Sequence, residues 1–367
     1  MKNGLSKNAV KRIASIMGEL YSDFDSSAFS TQAMAGLETL ELKQRVSHLI
    51  TVLHRFLPQD FTTTAQLLKQ LPEIWDYGDP NDAMRGFAAW PLIDYSSVYG
   101  LEHPKLALET LKHLTGLFSA EFAIRPFLLA HPEYCQQQLK LWVDDESEHV
   151  RRLVSEGTRP RLPWGMQLKP YVNDPGPNLP LLDALKADPS SYVRRSVANH
   201  LNDIAKDHPD LVIELCQGWY PQASEDVLWV IKHATRTLVK AGHPAIFPLL
   251  GYSESIDLAS PVLTIIQKKL RLGDSLEFQV ELRSQATEVQ KFVVDFAIHF
   301  MKSNGRTKPK VFKLKSVELG PGDTQVLEKS HAIKLITTRK YYSGTQILEI
   351  MVNGTAIVSQ EFDLDIH

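Results

Sequence analysis

Along the first 270 residues, apolar side chains recur at helical spacing. Leu108, Leu111, Leu114 and Phe118 fall on one face of a predicted helix, and Val193, Val197, Leu201 and Ile204 on one face of another. Short breakers divide these runs: LPQD near Pro58, EHP near Pro104, AHPE near Pro132, ADPSS near Pro189 and AGHP near Pro244. Near Gly273 the pattern changes. LEFQVELRS, KFVVDFAIHFM, KVFKLKSVEL, HAIKLITT and TQILEIMVNG alternate with period 2 and are rich in Val, Ile and Phe. The turn signals SNG, GPGD and VNG lie between them.

The helical part repeats itself. HVRRLVSEG begins at His149 and YVRRSVANH at Tyr192, so Val150 and Val193 stand 43 residues apart, within the HEAT/armadillo range. A weaker copy runs from Leu228 to Val239, offset by 35 from Val193–Ile204; both copies end on a breaker, KDHP or KAGHP. Each unit is then a helix pair that buries its apolar face only by stacking on neighbours. A bundle with two similar helices would give the same pattern. The expected fold is mainly α: a HEAT-like helical-repeat solenoid over residues 1–272. A small all-β immunoglobulin-like sandwich follows over residues 273–367, built from five to seven short strands.

Bulk properties narrow the class without choosing a function. At 367 residues, 43% hydrophobic and 23% charged, the chain holds enough apolar material for two or three packed domains. The net charge of −3 makes any nucleic-acid surface a local feature. Cys135 and Cys216 are far apart in helical segments, which supports neither a disulfide framework nor a thiolate zinc site and fits a reducing cytoplasm. The N-terminal stretch is too mixed for a secretory signal, and no run of 18 apolar residues occurs, so no membrane span is expected.

Four groups of residues could carry chemistry. In SAEFAIRPFLLAHPE (Ser119 to Glu133), Ser119 can cap a helix and Pro126 interrupts the helical ladder, which leaves Glu121 at the edge of a break. Glu121 and Arg125 are equally a plain i,i+4 surface pair. Arg195, Asn199 and Asp203 form a stripe turned away from the apolar face, able to hold a phosphate beside an acid, or else merely a solvated helix face.

The segment Thr158–Pro180 carries six prolines and must be an ordered connection. Between His149 and Pro170 lie Arg151, Arg152, Arg159, Arg161 and Lys169 against the single acid Glu156, with Trp164 set in Pro163-Trp164-Gly165. Cations for phosphates with an aromatic for stacking is a nucleic-acid pattern, although Trp164 would equally plug a gap between repeats. From Lys302 to Lys315 there are six basic residues and no acid. They suit either a phosphate-contacting surface, with Lys308, Lys310 and Lys313 in it, or the protection of a sheet edge. Lys308 and Lys310 should share one side of a strand; Lys313 and Lys315 should share the other unless a bulge separates Lys310 from Lys313. No metal spacing, Gly-rich phosphate loop or nucleophile elbow is present, so neither a metal nor an organic cofactor is expected.

The stretch from Trp90 to Leu128, above all SAEFAIRPFL, resembles the AlkC family of DNA alkylation repair glycosylases. VRRLVSEGTRPRLPW (Val150 to Trp164) and SSYVRRSVANHLNDIAKDHP (Ser190 to Pro209) resemble it too. The likeness covers roughly residues 5 to 270, and the β tail looks like the immunoglobulin-like domain of one branch. It implies helical repeats that hold duplex DNA in a concave basic groove and the removal of 3-methylcytosine and 3-methyladenine. It also implies that Glu121 and Asp203 are the active-site carboxylates and that Trp164 approaches the lesion. Arg152, Arg159, Arg161, Arg194 and Arg195 are then the phosphate contacts of the body, and the chain is expected to act as a monomer. Two rivals remain: a non-catalytic helical-repeat scaffold for a protein partner, and a DNA-binding module without chemistry.

Overall fold

The computed structural model describes residues 2–336 and 339–366. Contacts gather the chain into two units. One reaches from the N-terminal end to Asp207 and includes Ser224–His233; the other is made of His208–Ala223 and the chain from Ala234 onward.

The first unit is helical, and six of its helices position the candidate site. They are α1 (Leu42–Phe56), α2 (Trp90–Tyr99), α3 (Ile124–Ala130), α4 (Glu148–Gly157), α5 (Ser191–Ile204) and α6 (Glu225–Ala234). Their ends obey local chemistry. Glu41 and Gln44 close a capping box at α1. Pro91 sits in the first turn of α2, where its missing N–H is no loss. The Ser190 side chain accepts from the Tyr192 amide at the start of α5. Helix α6 opens on Glu225 and Asp226 and closes on Lys232 and His233, which complements its dipole.

Pro126 does not interrupt a helix. It lies in the first turn of α3, and Glu121 belongs to the turn that leads into it. Val193, Val197, Leu201 and Ile204 of α5 are buried, as the periodicity predicts. So are Ser196, His200 and Asp203, because the flank of α5 that carries them packs on α4. Among the described residues, no helix is long and apolar enough to cross a membrane.

Among the described residues, the second unit holds eight strands: β1 (Val262–Ile265), β2 (Lys269–Arg271), β3 (Ser275–Arg283), β4 (Gln290–Met301), β5 (Thr307–Leu319), β6 (Thr324–Ala332), β7 (Gly344–Val352) and β8 (Thr355–Asp365). They form a three-stranded sheet, β1-β3-β6, and a five-stranded sheet, β2-β8-β7-β4-β5, antiparallel except for β2 on β8. Leu276, Phe278, Val280 and Leu282 of β3 share one core with Val294, Phe296, Ile298 and Phe300 of β4. Alternation along the strands supplies that inner layer.

Contacts divide the chain elsewhere than composition does. The first strand begins at Val262, ahead of Gly273. Helix Arg236–Ala241 belongs with the sheets, where the Gly242 and Gly354 backbones meet so closely that neither has room for a Cβ. Of the expected strand HAIKLITT, only His331 and Ala332 are in β6, and Thr337 and Thr338 lie outside the described residues. The partner of β3 is instead the polar run that ends in that segment. Strand β8 gave no sequence signal, since it buries little besides Phe362 and Leu364.

Candidate active site

The first unit brings three carboxylates into one network with three cations. Ser119 Oγ donates to Glu121 Oε2 at 2.7 Å. Arg152 Nη1 lies 2.5 Å from the same oxygen and donates to Ser119 Oγ at 2.7 Å. Arg152 also reaches Glu156 at 3.6 Å. Arg159 donates to Glu156 Oε1 at 2.6 Å and, with Nε and Nη2, to Asp203 Oδ2 at 2.8 and 2.7 Å. Lys206 holds the other oxygen of Asp203 at 2.8 Å. Ser196 donates to Glu156 Oε2 at 2.6 Å. The chain of contacts therefore runs Glu121–Arg152–Glu156–Arg159–Asp203–Lys206, alternating in sign.

Burial gives this alternation its strength. Charges about 4 Å apart attract by roughly 4 kcal/mol at an effective dielectric of 20, against about 1 kcal/mol in water. Burial works against the charges of Arg152 and Arg159, but Glu156 with Glu121, and Glu156 with Asp203, outweigh it and raise both guanidinium pKa values. His200 lies behind the network and gives a hydrogen bond from Nδ1 to the Ser155 carbonyl at 2.9 Å. Burial and then the Arg159 charge push its pKa down to about 3, so it is neutral at physiological pH. The two end carboxylates differ. Both oxygens of Asp203 are held and the residue is 2% exposed. Glu121 is held through Oε2.

Trp164 stands beside this network on the connection between α4 and the next helix. It is 51% exposed and has φ +66°. A bulky residue in the left-handed region is strained, and such strain persists only where neighbours fix the backbone. Two cations do so. Lys43 of α1 donates to the Trp164 carbonyl. The fully buried Arg125 gives Nε and Nη2 to the Met166 carbonyl at 2.8 and 2.5 Å and Nη1 to the Gly157 carbonyl at 2.8 Å. Arg125 thus ties the connection at both ends and makes no surface pair with Glu121. Burial and the neighbouring Arg159 lower its pKa to about 10, which still leaves it charged at neutral pH.

Under Trp164 lies a cavity of about 270 Å³, lined among others by Trp90, Asp94, Phe122 and Met166. Trp90 stacks on Phe122, the neighbour of Glu121, with ring centroids 5.1 Å apart. Trp90 Nε1 donates to Asp94 Oδ2 at 2.8 Å, while Asp94 Oδ1 is enclosed without a partner. Burial raises the Asp94 pKa to about 7, opposed by the Trp90 hydrogen bond and Lys43 and reinforced by Glu121.

The cations expected to meet phosphates are mostly engaged elsewhere. Arg152 and Arg159 lie inside the ionic network. Arg161 pairs with Asp207 at 2.7 Å, and Arg194 with Asp226 at 2.6 Å. Only Arg195 of this group is exposed with no carboxylate in salt-bridge range among the described residues. The Arg195–Asn199–Asp203 stripe does not look outward along its length: Asp203 is turned into the interface with α4, because Arg159 reaches across to it.

On the sheet, Lys308, Lys310, Lys313 and Lys315 are all exposed on the edge strand β5. Lys308 and Lys310 pair with Phe300 and Ile298; Lys313 pairs with Asp295 and Lys315 with Val294. A register shift between Val294 and Asp295 leaves Leu314 as the extra residue. The break in alternation therefore falls between Lys313 and Lys315. Lys315 returns to the side of Lys308 and Lys310, and Lys313 alone faces the other way.

Sequence reasoning missed Glu156 and Asp94 as site members. Glu156 had a signal: it is four residues after Arg152 on α4 and three before Arg159 just past the helix end, a spacing that can set an acid between two cations. Asp94 had none, since nothing in WPLIDYSSVYG marks which polar residue ends up against a buried indole.

Comparison with known proteins places this geometry in context. A family model described as the C-terminal Ig-like domain of the uncharacterised protein YhaZ matches residues 260–366. A Bacillus subtilis (strain 168) protein described as uncharacterised protein YhaZ is 36% identical over 345 residues, which is 94% of this chain and 93% of that protein. Among solved structures, the Pseudomonas fluorescens alkylpurine DNA glycosylase AlkC, bound to DNA containing an abasic site analogue, is 38% identical. It covers 99% of each chain with a TM-score of 0.91.

Proposed function

This chain belongs to the AlkC family of DNA N-glycosylases, and from that premise we propose that it hydrolyses the N-glycosidic bond of cationic N3-alkylated bases, 3-methylcytosine and 3-methyladenine, in duplex DNA. The observation that carries this reading is the alternating network of Glu121, Glu156 and Asp203 with arginines, set beside an exposed Trp164 whose backbone is clamped. A non-catalytic module has no use for three carboxylates gathered where phosphates must approach.

The chemistry follows from the charge of the substrate. A base alkylated at N3 is already a cation. When the bond from its nitrogen to the sugar C1′ breaks, the bonding pair goes to the base and it departs neutral, without a proton. Positive charge then develops on the sugar as an oxocarbenium ion, to which a water adds with loss of a proton to solvent. A fixed carboxylate aimed at that charge stabilises the transition state more than the ground state. Glu121 suits this role: one oxygen is locked by Ser119 and Arg152. Asp203, held at both oxygens, completes the site by fixing Arg159 and the negative potential around it. Trp164 packs against the lesion.

The helical body, ahead of strand β1 at Val262, is read as a HEAT-like solenoid. The shared VRR cores and the side-by-side packing of α4 and α5 support this. The sandwich, whose strands run from Val262 to Asp365, adds a second DNA contact through Lys308, Lys310 and Lys315. The chain works as a monomer without a cofactor. The test is release of free base from duplex oligonucleotides carrying 3-methylcytosine or 3-methyladenine, with enzyme in excess. Burst release from both, and none from the unmethylated duplex, is the expected outcome. Failure to release either base would discard the reading.

A further inference from the structure

Three helices carry an i,i+4 pair at matching places. On α4 it is Arg152 with Glu156, on α5 Arg195 with Asn199, and on α6 Trp229 with His233. Side-chain contacts set the helices in that lateral order. Ser196 of α5 reaches Glu156 of α4 at 2.6 Å. On the other flank, Asn199 Oδ1 is 3.3 Å from His233 Nε2 of α6, and Arg194 meets Asp226 of α6 at 2.6 Å. The chemistry of the pair changes along the row. On α4 it is neutralised inside the ionic network. On α5 the cation Arg195 is exposed, with no carboxylate in salt-bridge range among the described residues. On α6 the pair is aromatic: the Trp229 indole is 40% exposed and stacks on the His233 imidazole at 4.9 Å and 9°.

An exposed indole normally collapses onto apolar neighbours. Here one side of it is propped by a flat ring that is itself anchored to Asn199 of α5, one helical turn after the exposed Arg195. Cation and indole plate together match the alternating phosphate and sugar of a nucleic-acid strand. The row is continuous with the site, because α5 contributes Asp203 and Ser196 on one flank and Arg195 and Asn199 toward the other.

We propose that Arg195 and Trp229 form a second contact point for the DNA strand beyond the reaction centre, Arg195 binding a phosphate and the Trp229 plate packing on the adjoining deoxyribose. This rests on the glycosylase reading given above. The two contacts have different signatures. A phosphate contact releases counterions and so steepens the dependence of affinity on salt. A packed ring does not.

The experiment measures binding of the full chain to a fluorescein-labelled duplex with a central abasic-site analogue, across a range of salt concentrations. Trp229→Ala should weaken binding by about tenfold at every salt concentration, with the log-affinity against log-salt slope unchanged. Trp229→Phe, which keeps a ring, should recover most of that loss. Arg195→Gln should weaken binding and flatten the slope by about one. Melting temperatures are recorded for each variant, and Trp229→Gln serves as the second ring deletion if the alanine variant unfolds. Wild-type affinity in the ring-deleted variant, or an unchanged slope for Arg195→Gln, overturns the proposal. Loss of affinity toward the duplex that phenylalanine does not restore also overturns it, since a plate is then not what the strand needs. The parent reading is judged separately, on base release by the wild-type chain alone.

Discussion

The ionic network of the helical unit and the lysine-rich edge of the sheet look alike in sequence. Both are rich in cations, and both fit a phosphate-binding surface when read from composition. In the structure they are opposites. Arg159 is buried and Arg152 half-buried, and each is bound to a carboxylate at 2.5–2.6 Å. Lys308 and Lys310 stand exposed on the outermost strand, opposite Phe300 and Ile298 of β4. In the first region, removing Arg159 takes a shared cation from two buried anions. In the second, it removes a charge that water already screens. A count of cations says how much charge a segment holds, not whether that charge is available to a partner.

The largest contrast should appear in stability. Arg159→Met takes from Glu156 and Asp203 the cation they share, leaving only Arg152 at 3.6 Å and Lys206 at 2.8 Å to offset them, and breaking a buried pair on one side typically destabilises by about 3–5 kcal/mol. We expect a clear fall in urea midpoint for this variant and none for Lys308→Gln with Lys310→Gln. Equal midpoints for the two would erase the distinction drawn above.

Next comes the reaction. Glu121→Gln keeps a hydrogen-bond partner for Ser119 but removes the charge, and should slow single-turnover excision of 3-methylcytosine by about 10²- to 10³-fold. Duplex affinity should hold or rise, because an anion leaves the path of the phosphates. A large loss of affinity with a wild-type rate would make Glu121 a structural member of the network only.

A smaller effect, with a definite pH window, comes from Asp94. Its carboxyl holds its proton up to about pH 7 in the folded chain, against about 3.8 for the ordinary carboxyl. The native state therefore binds the proton more tightly than the unfolded one, and stability from this group falls as pH rises between these values. Asp94→Asn, whose amide oxygen can still accept from Trp90, should be more stable than wild type at pH 8 by roughly 2 kcal/mol, and no more stable at pH 3. A pH-independent difference in melting temperature would refute this account.

The smallest effect is on the sheet edge. Lys308→Gln with Lys310→Gln should change stability by less than about 0.5 kcal/mol, and should flatten the salt dependence of duplex binding by up to about two if the strand touches DNA. A variant that instead self-associates would show that these lysines keep β5 from pairing with another edge.

Much of the helical unit was legible because one face of each helix must be apolar at a fixed period. Val193, Val197, Leu201 and Ile204 could be read as core for that reason. The site was legible only in part. Glu121, Trp164 and Asp203 came from motif resemblance. Their surroundings depend on which residues 30 to 45 positions away meet them, and periodicity within one helix carries no such information. Asp203 illustrates the limit: by helix geometry it belongs to the polar face, and only Arg159 arriving from another segment makes that face an interior. On the sheet, the sides of β5 could be assigned up to Lys313. The extra residue Leu314 then inverted the rest, because a bulge has no reliable mark in a run of Lys, Phe and Leu.

The backbone of Trp164 sets two demands against each other. Glycine would adopt φ +66° without strain, whereas a side chain there costs about 1–2 kcal/mol. With half of its surface in water, the indole recovers little of that through packing. A screen of variants at this position for thermal resistance and a screen for excision of methylated bases should therefore enrich different residues, glycine in the first and a large aromatic in the second.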